Sequence, residues 1–226
     1  MQFLRQPIVY LVFTIISLIL ESIVEFDEFF QQIFFQNGSW SISAEFHANY
    51  KWLLYTGIKV CIIIFTIGLF LFSIYCIYSK KERLREWIKP SFVVVVSIAV
   101  IPLIVSLLKY YTGIYAPREL MLYGGNKEHV GFLMQIWKYG YIAGGRCFPA
   151  GHASGGFALM SLCLLPFSSR NHKMFFLLGL ILGWFMGLYQ MARGEHFISH
   201  TLFTMFLALF VISMLNKYVL KSPKLF

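Results

Sequence analysis

Six stretches of this chain are apolar over most of their length: residues 7–26, 52–78, 90–108, 153–167, 174–191 and 199–215. A helix needs about 20 apolar residues to cross the hydrocarbon of a bilayer, so the pattern predicts six transmembrane helices. The fourth stretch is short, and the Pro-Ala-Gly-His turn before it is expected to supply the missing depth. The fold class that follows is all-α: a polytopic membrane helical bundle of about six spans, in a single domain covering residues 1–226.

The polar positions between the stretches set an orientation. Lys80, Lys81, Arg83, Arg85 and Lys89 follow the second stretch, Arg170 and Lys173 the fourth, and Lys217, Lys221 and Lys224 the sixth. By the positive-inside rule these connections are cytoplasmic, and so are both termini. The opposite loops carry Glu25, Asp27, Glu28, Glu45 and Glu119. A net charge of +9 is therefore read as a topology signal, and no nucleic-acid partner is expected. The first stretch lacks a small-residue cleavage site and carries Glu21 near its outer end, which reads as a retained signal anchor.

Composition agrees with the bilayer. The chain is 58% hydrophobic and 13% charged, against roughly a quarter charged in soluble domains. Cys61, Cys76 and Cys163 fall inside spans and Cys147 in an outer loop, so no disulfide framework is expected and Cys147 has no evident partner. His47, His129 and His172 read as solvated interfacial side chains. Glu21 and Lys59, toward the outer half of their spans, are expected to snorkel or to meet one another.

Two outer segments are long. Residues 25–51 contain Phe-Phe-Gln-Gln-Ile-Phe-Phe, either an interfacial helix or a mobile loop. Residues 109–152 hold two Gly-Gly pairs and many tyrosines, and a loop of that length and composition is expected to fold over the surface as part of a site.

Chemistry gathers at the outer ends of spans three to six, in three clusters. Lys109 to Arg118 follows the third span, Phe-Pro-Ala-Gly-His-Ala-Ser-Gly-Gly opens the fourth, and Gln-Met-Ala-Arg-Gly-Glu-His-Phe-Ile-Ser-His joins the fifth to the sixth. Pro149 suits a first helical position, and the free N–H groups from Gly151 onward would make an anion site aided by the helix dipole. Arg193, His196 and His200 are spaced three and four apart, so that on a helix they share one face. Two imidazoles, several cations and an open helix N-terminus point to phosphoryl transfer through a histidine. No Asp/Glu/His set with metal spacing occurs on the outer face, so neither a metal nor another cofactor is expected.

From Lys109 to about Thr204 the sequence resembles the type 2 phosphatidic-acid phosphatase superfamily. That family carries Lys-x6-Arg-Pro, Pro-Ser-Gly-His and Ser-Arg-x5-His-x3-Asp. The resemblance implies that Lys109 and the amide of Gly151 contact phosphate, that His152 protonates the leaving oxygen and that His196 is the nucleophile. Arg-Pro is reversed as Pro117-Arg118, Ala150 stands for the serine, and Gln190 stands where the third-motif arginine belongs. Arg193 is expected to substitute from one turn later, and His200 occupies the aspartate's place. With Glu195 expected to point elsewhere on a helix, a neutral His200 would accept the bond from His196 but bring no charge. The family implies a lipid phosphatase acting on a membrane lipid phosphomonoester or pyrophosphate, such as lipid A, undecaprenyl diphosphate or phosphatidylglycerol phosphate. The bacterial character of the motifs implies an inner membrane and a periplasmic site. A lipid-to-lipid phosphotransferase and a catalytically degenerate lipid-binding protein remain alternatives, and the oligomeric state is left open.

Overall fold

Apolar runs become helices because a backbone in lipid must satisfy its own hydrogen bonds. The computed structural model describes residues 2–139 and 144–220. Helix α1 (Pro7–Glu21) starts on proline, whose missing N–H would have had no helical partner there. It bends by 82° into α2 (Val24–Gln31). A hairpin of Phe35–Gln36 against Ser39–Trp40 turns through Asn37 and Gly38, both at positive φ, as two-residue hairpin turns require. Helix α3 (Ala44–Lys51), capped by the Ser43 hydroxyl, continues through a π turn at Trp52–Thr56 into α4 (Gly57–Tyr78). Then come the short α5 (Glu82–Arg85), the long α6 (Ile88–Thr112) and α7 (Phe132–Tyr139). Helix α8 (Gly151–Ala158) tightens into a 3-10 helix at Leu159–Leu164, followed by α9 (Ser169–Met191) and α10 (Ile198–Leu215).

The all-α membrane bundle expected from the sequence is what the chain forms. Among the described residues, four stretches are long and apolar enough to cross a bilayer: Ala44–Tyr78, Glu82–Glu119, Arg170–Met191 and Ile198–Leu220. The bent pair α1–α2 makes a fifth if taken as one span. The expected fourth span is shorter than a bilayer is thick. At rises of about 1.5 and 2.0 Å per residue, α8 and its 3-10 extension reach only about 24 Å. Its apolarity has a different cause, since Leu159 through Leu164 are all buried in protein. This segment packs against α6, α9 and α10 as the centre of the bundle. Its approach to α9 is backbone on backbone: a Cβ on Gly156 would lie 2.5 Å from the Gly183 nitrogen. Small residues permit such crossings. By contrast α4 exposes Ile63, Ile64, Phe65, Ile67 and Leu71, a surface suited to lipid.

The first outer segment is folded into short elements. Residues 25–51 form α2, the hairpin and α3, and α2 turns inward, burying Asp27 and Gln31. The described residues of the second segment, 109–139 and 144–152, fold over the bundle end through 3-10 turns at Pro117–Glu119 and Met121–Tyr123 and through α7, as expected. Of the basic clusters, Lys221 and Lys224 lie outside the described residues. The others flank the helix ends away from the three motifs.

Candidate active site

The three motifs are brought to one end of the bundle by chain direction. Lys109 ends α6, His152 lies in the first turn of α8, and residues 192–197 link α9 to α10. Pro149 is not the first helical residue. It sits ahead of the N-cap Ala150, after a cis peptide bond to Phe148, and α8 opens at Gly151. The Ala150 amide is tied to Thr204 Oγ1 of α10 at 3.0 Å. The first N–H groups of α8 have no intrahelical acceptor. Lys109 crosses directly above them, since a Cβ on Gly151 would come within 3.3 Å of Lys109 Nζ.

Arg193, His196 and His200 do not share a helix face. Helix α9 ends at Met191, Gly194 takes a left-handed φ of +71°, and α10 begins at Ile198. Gly194 N–H bonds Met191 O and Glu195 N–H bonds Gln190 O, the paired closing bonds of a glycine-terminated helix. This turn swings Glu195 toward the cations, where a helix would have sent it away. Glu195 Oε1 lies 2.6 Å from Arg118 Nη1 and 3.1 Å from Arg193 Nη2. Gln190, in the expected arginine's place, is buried and accepts from Arg193 Nη1 at 2.9 Å. Arg118 is held by its own amide on Gly194 O at 3.0 Å.

A polar cavity of about 520 Å³ collects Lys109, Arg118, Arg193, His152 and His196. His200 is fully buried and does not line it. Its ring centroid is 5.9 Å from that of His196, and no hydrogen bond joins the two. Its Nδ1 lies 3.3 Å from Cys147 Sγ, and its Nε2 is 3.9 Å from Glu21 Oε1, beyond hydrogen-bond length. Cys147 Sγ is also 3.4 Å from His196 Nδ1. Cys147, His196 and His200 thus offer ligand atoms within 4.8 Å of one another, a buried trio able to hold a metal ion that motif spacing did not foreshadow.

Burial lowers the His196 pKa well below the usual imidazole range, with the positive charge of Lys109 adding to the effect. It is neutral at pH 7 and retains a lone pair. Burial, then Lys109, Lys59 and Arg193, push the pKa of His152 down to about 4. Its ring packs against Tyr55 at 4.1 Å between centroids, and its Nδ1 is buried without a hydrogen-bond partner among the described residues.

Several contributors escape sequence reasoning. Tyr55, Lys51 and His47 line the cavity from α3 and the π turn, and His47 Nδ1 is 2.9 Å from the Tyr189 hydroxyl rather than merely solvated. His129 is also not free in water: it pairs with Glu28 at 3.1 Å and stacks on Phe197. His172 is buried, with Nδ1 2.5 Å from Cys163 O. Glu21 turns inward to accept from the Phe132 amide at 2.6 Å, whereas Lys59 lines a separate groove. Asp27 accepts from Ser199 N at 3.1 Å and from its hydroxyl. Phe197, the N-cap of α10, has no side-chain acceptor of its own, so Asp27 performs that service from α2.

A bundle of lipid-facing helices around a cation-lined polar cavity defines an integral membrane protein. Residues 90–224 match the family model of the PAP2 superfamily, so the chain belongs to that superfamily, the type 2 phosphatidic-acid phosphatases. Membership supports a phosphoester hydrolase. No curated protein and no solved structure matches the chain.

Proposed function

We propose that this protein is a membrane lipid phosphatase that hydrolyses a lipid phosphomonoester or pyrophosphate through a phosphohistidine intermediate. The observation that carries the lipid specificity is a shared wall. Lys109 and His152 line the polar cavity and also an apolar groove of about 510 Å³ between α4, α6 and α8. That groove is walled by Ile62, Ile63, Ile98 and Ala99. A ligand with a phosphate head and an acyl or prenyl tail fits both compartments at once.

In this reading the phosphate rests among Lys109, Arg118, Arg193 and the first amides of α8, which offset charge on its equatorial oxygens. His196 attacks phosphorus, and His152 gives a proton to the departing lipid oxygen and then takes one from water. The dianion itself raises the His152 pKa, bringing the acid's proton within range on binding. With the basic clusters inside, the site opens on the outer face, which in a bacterial inner membrane is the periplasm.

Phosphate release from a panel of phosphatidic acid, phosphatidylglycerol phosphate, undecaprenyl diphosphate and lipid A tests the reading. At least one is expected to be hydrolysed, with inhibition by vanadate and none by EDTA. Failure on every member, with folded protein, would overturn it.

A further inference from the structure

The third motif lacks the carboxylate that the family resemblance leads one to expect beside the attacking imidazole. A sulfur stands at that nitrogen instead. Cys147 Sγ lies 2.8 Å from Glu195 O, 3.4 Å from His196 Nδ1 and 3.3 Å from His200 Nδ1. The three side chains are buried, and the segment carrying the thiol is pinned by the Cys147 amide on Ile114 O at 2.9 Å.

Proton counting decides the roles. A carbonyl oxygen 2.8 Å from the sulfur would repel a thiolate, so the thiol keeps its one proton. The Glu195 carbonyl can only accept, and at 2.8 Å it accepts the thiol's hydrogen bond. The sulfur lone pairs then face the two imidazoles, each of which donates from Nδ1. For His196, which lines the cavity, this fixes the Nδ1–H tautomer and leaves the lone pair on Nε2. His200 meets the same sulfur from the other side and does not reach His196 itself.

We propose that Cys147 is the positioning residue for His196, holding its tautomer and orientation from the place a motif carboxylate would occupy. The proposal rests on the reading of His196 as nucleophile. Nε2 forms the N–P bond as the bond from phosphorus to the lipid oxygen breaks, and His152 protonates that oxygen. Water then forms the new P–O bond, giving its proton to His152, while the N–P bond breaks. The Nδ1 proton stays on Nδ1, hydrogen-bonded to the sulfur throughout, and a neutral thiol supplies direction without charge.

The full chain in detergent or nanodiscs, labelled with ¹⁵N-histidine, gives a readout independent of turnover. His196 is expected to be the Nδ1–H tautomer in the wild type and a mixture in Cys147→Ala. On a lipid phosphate the wild type hydrolyses, Cys147→Ala is expected to lose about 10- to 100-fold in kcat, as removal of a partner orienting a functional imidazole does, with KM within about twofold. Cys147→Ser, which keeps a donor and an acceptor, should recover most of kcat and covers the case in which the alanine variant fails to fold. An Nε2–H tautomer in the wild type overturns the proposal, as does an unchanged kcat in Cys147→Ala. Stoichiometric zinc in the purified wild type, lost in Cys147→Ala, overturns it too, because a metal needs the thiolate and both Nδ1 lone pairs. A wild type that releases no phosphate defeats the phosphatase reading, and the tautomer still decides the role of Cys147.

Discussion

His152 and His196 sit in the same cavity with different electrostatic tasks. Both are neutral at pH 7, but only His152 has to gain a proton for the proposed chemistry. Its pKa is held near 4 by burial and by Lys109, Lys59 and Arg193, and a phosphate dianion among those cations works in the opposite direction. An NMR titration of the His152 ring is expected to give a midpoint near 4 without ligand, rising by at least about one pH unit with saturating vanadate. An unchanged midpoint would put His152 out of the anion's reach. The sign for stability follows from the same shift. Between about 4 and 6.5 the unfolded chain holds the proton and the folded one does not, so the His152 contribution is lost as pH falls through that window. The positions of these two imidazoles were legible in the sequence, because each belongs to a motif fixed to a helix end. Cys147 was not, although it lies two residues before Pro149 in the second motif. Cysteine spacing rules search for another cysteine or a metal-ligand pattern, and its partners are histidines 49 and 53 residues away.

Among the elements, α10 shows how a helix start is completed from a distance. The sequence places no side-chain acceptor at its N-cap Phe197, and Asp27 of α2 supplies one to Ser199. A carboxylate at a helix N-terminus also favours the dipole. Replacing Asp27 with Ala leaves the Ser199 amide buried and unpaired, at a cost of about 1–3 kcal/mol. Thermal unfolding in detergent, followed by circular dichroism, should show a lower midpoint; an unchanged one would mean that Asp27 carries no structural burden. Hydropathy alone could reveal that α2 follows α1 and that both are apolar in part. It could not reveal that α2 bends by 82° and buries its carboxylate against the third motif. The helical reading of residues 193–200 failed for a local reason, since spacing of three and four fits a helix but Gly194 at positive φ ends one. That turn is also what aims Glu195 at Arg118 and Arg193.

For the whole molecule, the bundle was readable from its apolar runs, while the stretch at 153–167 falls short of a bilayer's thickness and is buried in protein, and burial in protein and burial in lipid select the same residues. The consequence for function is the pair of compartments meeting at Lys109 and His152. Blocking the groove with Ala99→Trp should raise KM for a lipid phosphate about tenfold, the loss expected from displacing two methylenes at about 0.8 kcal/mol each. Hydrolysis of a short water-soluble phosphate should be unchanged, and an equal effect on both substrates would argue against the groove as the tail site. The central claim, covalent catalysis by His196 on a lipid phosphate, is tested most directly by trapping the phosphoryl group. With a ³²P-labelled lipid phosphate that the wild type hydrolyses, rapidly quenched protein should carry an acid-labile, base-stable label that maps to His196 and is missing from His196→Ala. A label on another residue, or wild-type phosphate release by His196→Ala, would contradict the account.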